Sequence, residues 1–364
     1  MESKNPQSTN LINLIGGGKQ RQSNLELYRV VCMLLIVAHH YVVNSGVTGE
    51  MYAAPMSANS LFLFLLGMWG KTGINCFVLI TGYFMCQSDI TIRKFLKLAL
   101  EVIFYNVVIW ALFVLTGYRQ FDLHNAILTL VPVRDLSQDF TSCFLVFYLL
   151  IPFLNILVRN MTRTLHLRLM AVLLVSYTFL PYVPKLQYYV VFNYVTWFCI
   201  LYVVASYIRF YGLLPKLQTR HWGWCTLISV LLAMASVLYF VPQYKPYILM
   251  FDTNAPFAVI VAVCSFMFFK GLSIPYSRFI NLLGASTFGV LLIHANSDTM
   301  RCWLWRDTVD CIGQYGQDFL PLLSIGSIIA IFAICIVIDY VRIHTVEKWT
   351  FRYIDQWLAH HHLA

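Results

Sequence analysis

Residues 24–44 read NLELYRVVCMLLIVAHHYVVN. A carboxylate and a guanidinium, Glu26 and Arg29, precede an apolar block from Val30 to Ala38, and His39, His40 and Tyr41 close it. The block and its flanks have the length of a bilayer-crossing helix, which needs about 20 mostly apolar residues. Ionisable groups inside such a helix are costly and mark function. Glu26 and Arg29 are three apart and can pair on one helical face. Arg29 and His40 are eleven apart, about 1100° of rotation, only about 20° from three full turns, with a rise of about 16 Å. They therefore share a face at different depths, while His39 is turned about 80° away from it. Two histidines at the end of a helix are also what a pair seated among lipid headgroups looks like.

Working outward, the same apolar density recurs in runs near 62–86, 95–117, 140–158, 169–183, 190–208, 223–241, 252–270, 279–297 and 319–341. With 26–44 these predict an all-α, polytopic membrane bundle of about ten transmembrane helices. The second run, with Gly67, Gly70 and Gly73 around Lys71, reads as irregular. Composition agrees: 59% of the 364 residues are apolar and 11% charged, against about 45–50% and 25% in soluble domains. Counting the 18 Gly in place of the 22 Tyr hardly alters the first figure. Disordered, collagen-like, soluble-enzyme and nucleic-acid-binding classes are excluded, and helix-length runs exclude a β-barrel. Residues 1–24 form a polar segment without the short apolar core of a cleavable signal, so the first run is expected to stay as an anchor.

Charge predicts orientation. Lys and Arg gather in the N-terminal segment, in the connections containing Arg93, Lys94 and Lys97, Arg159 to Arg168, Arg209 to Arg220, Lys270 and Arg278, and after Arg342. The alternate connections hold only Arg119, Arg134, Lys185, Lys245, Arg301 and Arg306. The positive-inside rule then predicts that both termini are cytoplasmic. The net charge of +9 is read as membrane topology and carries no argument for nucleic acid. Residues 342–364 read as a cytoplasmic amphipathic tail, with Val346, Trp349, Tyr353, Ile354, Trp357 and Leu358 on one face. The His360–His362 run is read as incidental, and no metal site is assigned.

His294, about fifteen residues into its run, should lie at the same depth as His40. Further polar groups inside spans are Asn75, Thr81, Glu101, Tyr105, Asn106, Asn193 and Trp197. Any one alone also fits interhelical packing. With the cationic cluster at Arg93, Lys94 and Lys97, they point to a route for an anionic ligand from the basic side toward a histidine near the other. Eight of the ten cysteines fall in apolar runs and act as small hydrophobes. Cys302 and Cys311 share a polar outer loop, where either a disulfide or two free thiols fit.

The block from Asn24 to Tyr41 resembles the first helix of acyltransferase family 3, integral-membrane acyltransferases that modify bacterial surface sugars. The resemblance continues through Asn75–Phe84, where Thr81-Gly82-Tyr83 stands in place of the usual Ser-Gly-Tyr. It extends over Phe147–Asn155, Trp197–Arg209 and Ser286–His294, and covers about residues 22–342. It implies a membrane acyltransferase domain at 25–341, embedded in the bilayer as a multi-pass protein of a bacterial inner membrane. The donor implied is acetyl-CoA or another acyl-CoA, with no permanently bound cofactor, and the acceptor a hydroxyl of a cell-surface or lipid-linked glycan. The family's essential Arg–His pair maps onto Arg29 and His40. Its basic pair, often Arg-x-x-Arg, maps onto Lys94 and Lys97, where lysine lacks the bidentate fork for phosphate.

On that reading Arg29, Lys94 and Lys97 bind the donor, and His40 acts as general base or carries the acyl group transiently. Glu26 fixes Arg29. His39 and His294 are further catalytic or acceptor-orienting candidates, and Asn75, Thr81, Tyr83 and Trp197 are substrate-binding candidates. The rival class is a transporter or flippase of polysaccharide or lipid-linked sugar, which commonly shows internal repeats; none is visible here.

Overall fold

A computed structural model describes residues 21–137, 139–183 and 186–360. The regular elements are helical: α1 (Ser23–Val43), α2 (Thr48–Ala53), α3 (Ala58–Gly67), α4 (Gly70–Met85), α5 (Ile92–Leu115), α6 (Leu123–Thr129), α7 (Phe140–Arg159), α8 (Arg163–Leu174), α9 (Tyr194–Tyr211), α10 (Thr219–Phe240), α11 (Pro256–Gly271), α12 (Arg278–Ala285), α13 (Thr287–His294), α14 (Asp298–Cys302), α15 (Cys311–Tyr315), α16 (Leu320–Arg342) and α17 (Lys348–His360). Short polar side chains start many of them. Ser57, Thr91, Asp122, Asp139, Thr162, Asn193, Ser277 and Ser297 each accept a backbone N–H from the first turn, as capping residues do.

The first helix is the axis of the bundle. α1 packs against α3, α4, α11, α12, α13 and α16, so most of its circumference faces protein. The outer helices turn apolar side chains outward instead. On α10, Trp224, Leu227, Ile228, Leu231 and Leu238 are exposed at helical spacing, as are Leu322, Ile325, Ile329 and Val337 on α16. An outside this apolar fits a hydrocarbon solvent.

Eight helical segments among the described residues are long and apolar enough to cross a membrane. They account for eight of the ten expected runs, and the other two differ from a simple span. The run at 252–270 becomes a helix only at Pro256; proline has no N–H to lose at that first position, and what remains is a shorter apolar helix of 16 residues. The run at 279–297 is split at Ser286 into α12 and α13, and the chain then bends by 94° into α14 and the turn that follows. Gly284 permits the close seating there: a Cβ on it would stand 2.3 Å from Glu26 Oε2.

The irregular second run is indeed interrupted, between α3 and α4 at Met68 and Trp69. Its glycines let α4 approach α1 closely. A Cβ on Gly70 would lie 2.2 Å from the His39 ring, and one on Gly73 would lie 2.9 Å from the Cys32 carbonyl. The C-terminal helix α17 is amphipathic, but its buried residues are Phe351 and Leu358, with Trp349, Tyr353 and Trp357 exposed. It docks on the start of α5, where Arg93 Nε donates to Asp355 Oδ1 over 2.6 Å and the guanidinium lies over the Phe351 ring. Most of the N-terminal polar segment, and His361 and His362, lie outside the described residues. Cys302 and Cys311 are both free thiols, Cys311 buried, so the disulfide expected as one of two alternatives is not formed.

Candidate active site

Three contacts around α1 define the chemistry. His294, the last residue of α13, places Nδ1 2.6 Å from the Val290 carbonyl. A carbonyl only accepts, so this nitrogen carries the hydrogen, and in a neutral ring Nε2 is then the lone-pair atom. His40 Nδ1 lies 2.9 Å from that Nε2, so His40 donates from Nδ1. Its own Nε2 is left with the lone pair. The chain of contacts thus fixes both tautomers and leaves one basic nitrogen, His40 Nε2.

His40 and His294 each sit in the last turn of a helix. His39 takes a different partner. Gly67 ends α3, so its carbonyl is among those an ending helix leaves without an intrahelical donor, and His39 Nδ1 lies 2.6 Å from it.

His39 and His40 line a cavity of about 630 Å³ at this end of the bundle, together with Lys71, Asn106, Arg301 and Tyr194. Arg134, Asp135, Asp139 and Asp298 complete its polar wall. Asn296 donates to Asn106 Oδ1 at 3.0 Å, and Arg301 pairs with Asp298 at 3.1 Å.

Arg29 lies three turns away on α1 and faces a second cavity, of about 310 Å³, lined also by Arg21, Thr81, Lys94 and Lys97. Its guanidinium pairs with Glu26 at 3.0 and 3.2 Å, the partnership expected from their spacing. The two lysines are engaged elsewhere. Lys94 Nζ donates to Ser88 Oγ at 2.9 Å and to the Asp89 carbonyl at 2.6 Å. Lys97 pairs with Glu347.

The other expected site residues separate into two groups. Thr81 lines the Arg29 cavity, its hydroxyl donating to the Phe77 carbonyl at 3.0 Å. Tyr83 receives Arg209 on its hydroxyl at 2.8 Å. Asn75 and Trp197 are fully buried and hold each other: Trp197 Nε1 donates to Asn75 Oδ1 at 2.9 Å, while Asn75 Nδ2 donates to the Thr253 carbonyl at 2.6 Å. These two clasp α4, α9 and the turn before α11.

One cluster escaped the sequence reading as a unit. Arg342 is buried and contacts Asp339 at 2.8 Å, Glu347 at 2.9 Å and Glu101 at 3.0 Å. Tyr105 donates to Asp339 Oδ1 at 2.8 Å. Asp339 is a lone acid in the last apolar run, a signal that the rule for intramembrane charges could have caught. Lys71 carried the same signal. No three His, Cys, Asp or Glu side chains stand together as a metal site among the described residues.

The first helix of this membrane bundle thus carries an Arg–Glu pair and, three turns away, a histidine held by a second histidine. The family model described as an acyltransferase domain matches residues 22–340. The chain belongs to acyltransferase family 3 and is a multi-pass membrane acyltransferase. No curated protein and no solved structure matches it.

Proposed function

We propose that the protein transfers an acyl group, acetyl from acetyl-CoA in the simplest case, to a hydroxyl of a surface or lipid-linked glycan at a bacterial inner membrane. The observation that carries this reading is the placement of His40 and Arg29 on one helix but in two cavities of different charge. The cavity around Arg29 gathers Arg21, Lys94 and Lys97 and suits the phosphates of an acyl-CoA arriving from the cytoplasm. The cavity around His40 mixes donors and acceptors of both signs and suits a polyhydroxylic acceptor.

The pantetheine arm spans the distance of about 16 Å between them. His40 Nε2 takes the proton of an acceptor hydroxyl as its oxygen attacks the thioester carbonyl. The tetrahedral intermediate collapses with cleavage of the C–S bond, and the proton on His40 passes to the departing thiolate. His294 receives the His40 Nδ1–H throughout, so the imidazolium formed in mid-reaction keeps its orientation. Glu26 holds Arg29 in place.

The decisive experiment follows label from [14C]acetyl-CoA into cell-envelope glycan, comparing wild type with His40→Ala at matched membrane abundance. Label in the wild type that vanishes in the variant is the expected result. Equal label in both would remove His40 from the chemistry.

A further inference from the structure

We infer that the acceptor site continues beyond the His40 cavity into a second lobe that holds the neighbouring sugar of a glycan chain. The inference rests on the glycan-acceptor reading above.

A cavity of about 500 Å³ adjoins the first and shares His39, Val43, Lys71 and Tyr194 with it. Two of the shared residues are bridged: Lys71 Nζ donates to Tyr194 Oη at 2.9 Å, with the ammonium 5.5 Å from that ring's centroid. A ligand reaching from one lobe to the other must therefore pass a cation and a phenol.

The walls of the second lobe differ from those of the first. Phe192, Tyr247 and Phe251 line it, with Ser137 and Asp252 as polar groups. A pyranose has an apolar C–H face and a rim of hydroxyls, and this pairing of aromatic faces with a hydroxyl and a carboxylate matches both. Tyr247 is held rigidly, its hydroxyl donating to the Phe64 carbonyl at 3.1 Å and its ring edge-on to Phe64. Phe251 is 67% exposed although it is a large apolar side chain, which leaves its ring available for stacking. Lys71 and Asp252 both line this space, and burial pushes the Asp252 carboxyl up from its ordinary range. His39, with Nδ1 tied to Gly67, keeps Nε2 as an acceptor at the junction.

A single sugar beneath His40 leaves the Phe251 wall empty, whereas two linked sugars cover both lobes. Chain length therefore selects the acceptor.

The test uses purified full-length protein, [14C]acetyl-CoA, and fragments of the host's own envelope glycan from partial acid hydrolysis, sized to one, two and more sugars. Wild type is expected to show kcat/KM about tenfold higher for two-sugar fragments than for one, a contact-sized discrimination. Phe251→Ala should reduce that ratio toward one. Tyr194→Phe, which keeps the ring and removes the bridge hydroxyl, should reduce it without risk to folding. A wild-type ratio near one, or a ratio unmoved in both variants, overturns the second lobe. Absence of label on every fragment with wild type overturns the glycan-acceptor reading itself, and the lobe with it.

Discussion

Two of the cavities that meet α1 are cut into the same bundle and differ in charge, one cationic and the other mixed. One is lined by Arg21, Arg29, Lys94, Lys97 and Glu101, with Glu26 paired to Arg29 and Glu347 to Lys97. The other sets Lys71, Arg134 and Arg301 against Asp135, Asp139 and Asp298. A concentrated positive field attracts a polyanion, whereas interleaved donors and acceptors orient a neutral ligand. Phe77, Phe144 and Phe288 line the first cavity, while Ile74, Phe140 and Leu291, one turn along the same helices, line the second. The phenylalanines pack on one another, with centroids 5.8, 5.9 and 6.4 Å apart. Two layers of apolar side chains thus stand between the two cavities, and on the proposed reading the donor arm must part them.

The comparison breaks most severely at the histidine. His40→Ala is expected to lower acyl transfer by about 10²–10⁴-fold, the usual range for a positioned base. His39→Ala should keep a substantial part, since His39 is committed to Gly67. The opposite ranking, at equal abundance, would show that the helical-face argument chose the wrong ring. His294→Ala leaves the His40 Nδ1–H without its acceptor and should lower kcat about 10²-fold, the cost of a misplaced group, with donor KM little changed.

At the cationic cavity, Arg29→Ala should raise the KM for acetyl-CoA about tenfold or more, because hydrogen bonds to charged groups contribute about 1.5–3 kcal/mol. Lys94→Ala combined with Lys97→Ala should act in the same direction. Unchanged donor saturation in folded protein would leave the lysines a purely topological role.

A smaller effect sharpens the same contrast. Glu347 engages both Lys97 and Arg342, so Glu347→Gln should free Lys97 and lower the donor KM by about threefold, the scale of one partly exposed ion pair. In a Lys97→Ala background that gain should disappear. Phe288→Ala tests the partition: opening it should raise acetyl-CoA hydrolysis in the absence of acceptor by a few-fold. A hydrolysis rate equal to wild type would place the barrier elsewhere.

The smallest effect concerns the segment from α14 to α15. Cys302, half-buried, should be alkylated in native membranes and Cys311 only after denaturation, read by mass mapping of the loop peptide. A linked peptide under non-reducing conditions would contradict the free thiols.

The length of the apolar runs sufficed for the helical class, since in hydrocarbon each helix must satisfy its own backbone. Helical spacing sufficed for the Glu26–Arg29 pair, whose residues are one turn apart on one helix. Where a helix breaks is less local. The interruption beside Gly67 was visible in its glycines, but the split at Ser286 depends on Gly284 meeting Glu26 from the other end of the chain, and periodicity does not register such contacts.

The same division runs through the site. The eleven-residue spacing of Arg29 and His40 is a property of one helix, so the sequence alone determined it. The tautomer of His40 is not. It requires His294, 254 positions away, and the Val290 carbonyl behind it. Likewise nothing along the chain tells that Asn75 and Trp197 satisfy each other while Lys71 borders a cavity. Position along a helix is set by local geometry; which polar groups meet is set by how helices distant in sequence pack, and only the tertiary structure decides that.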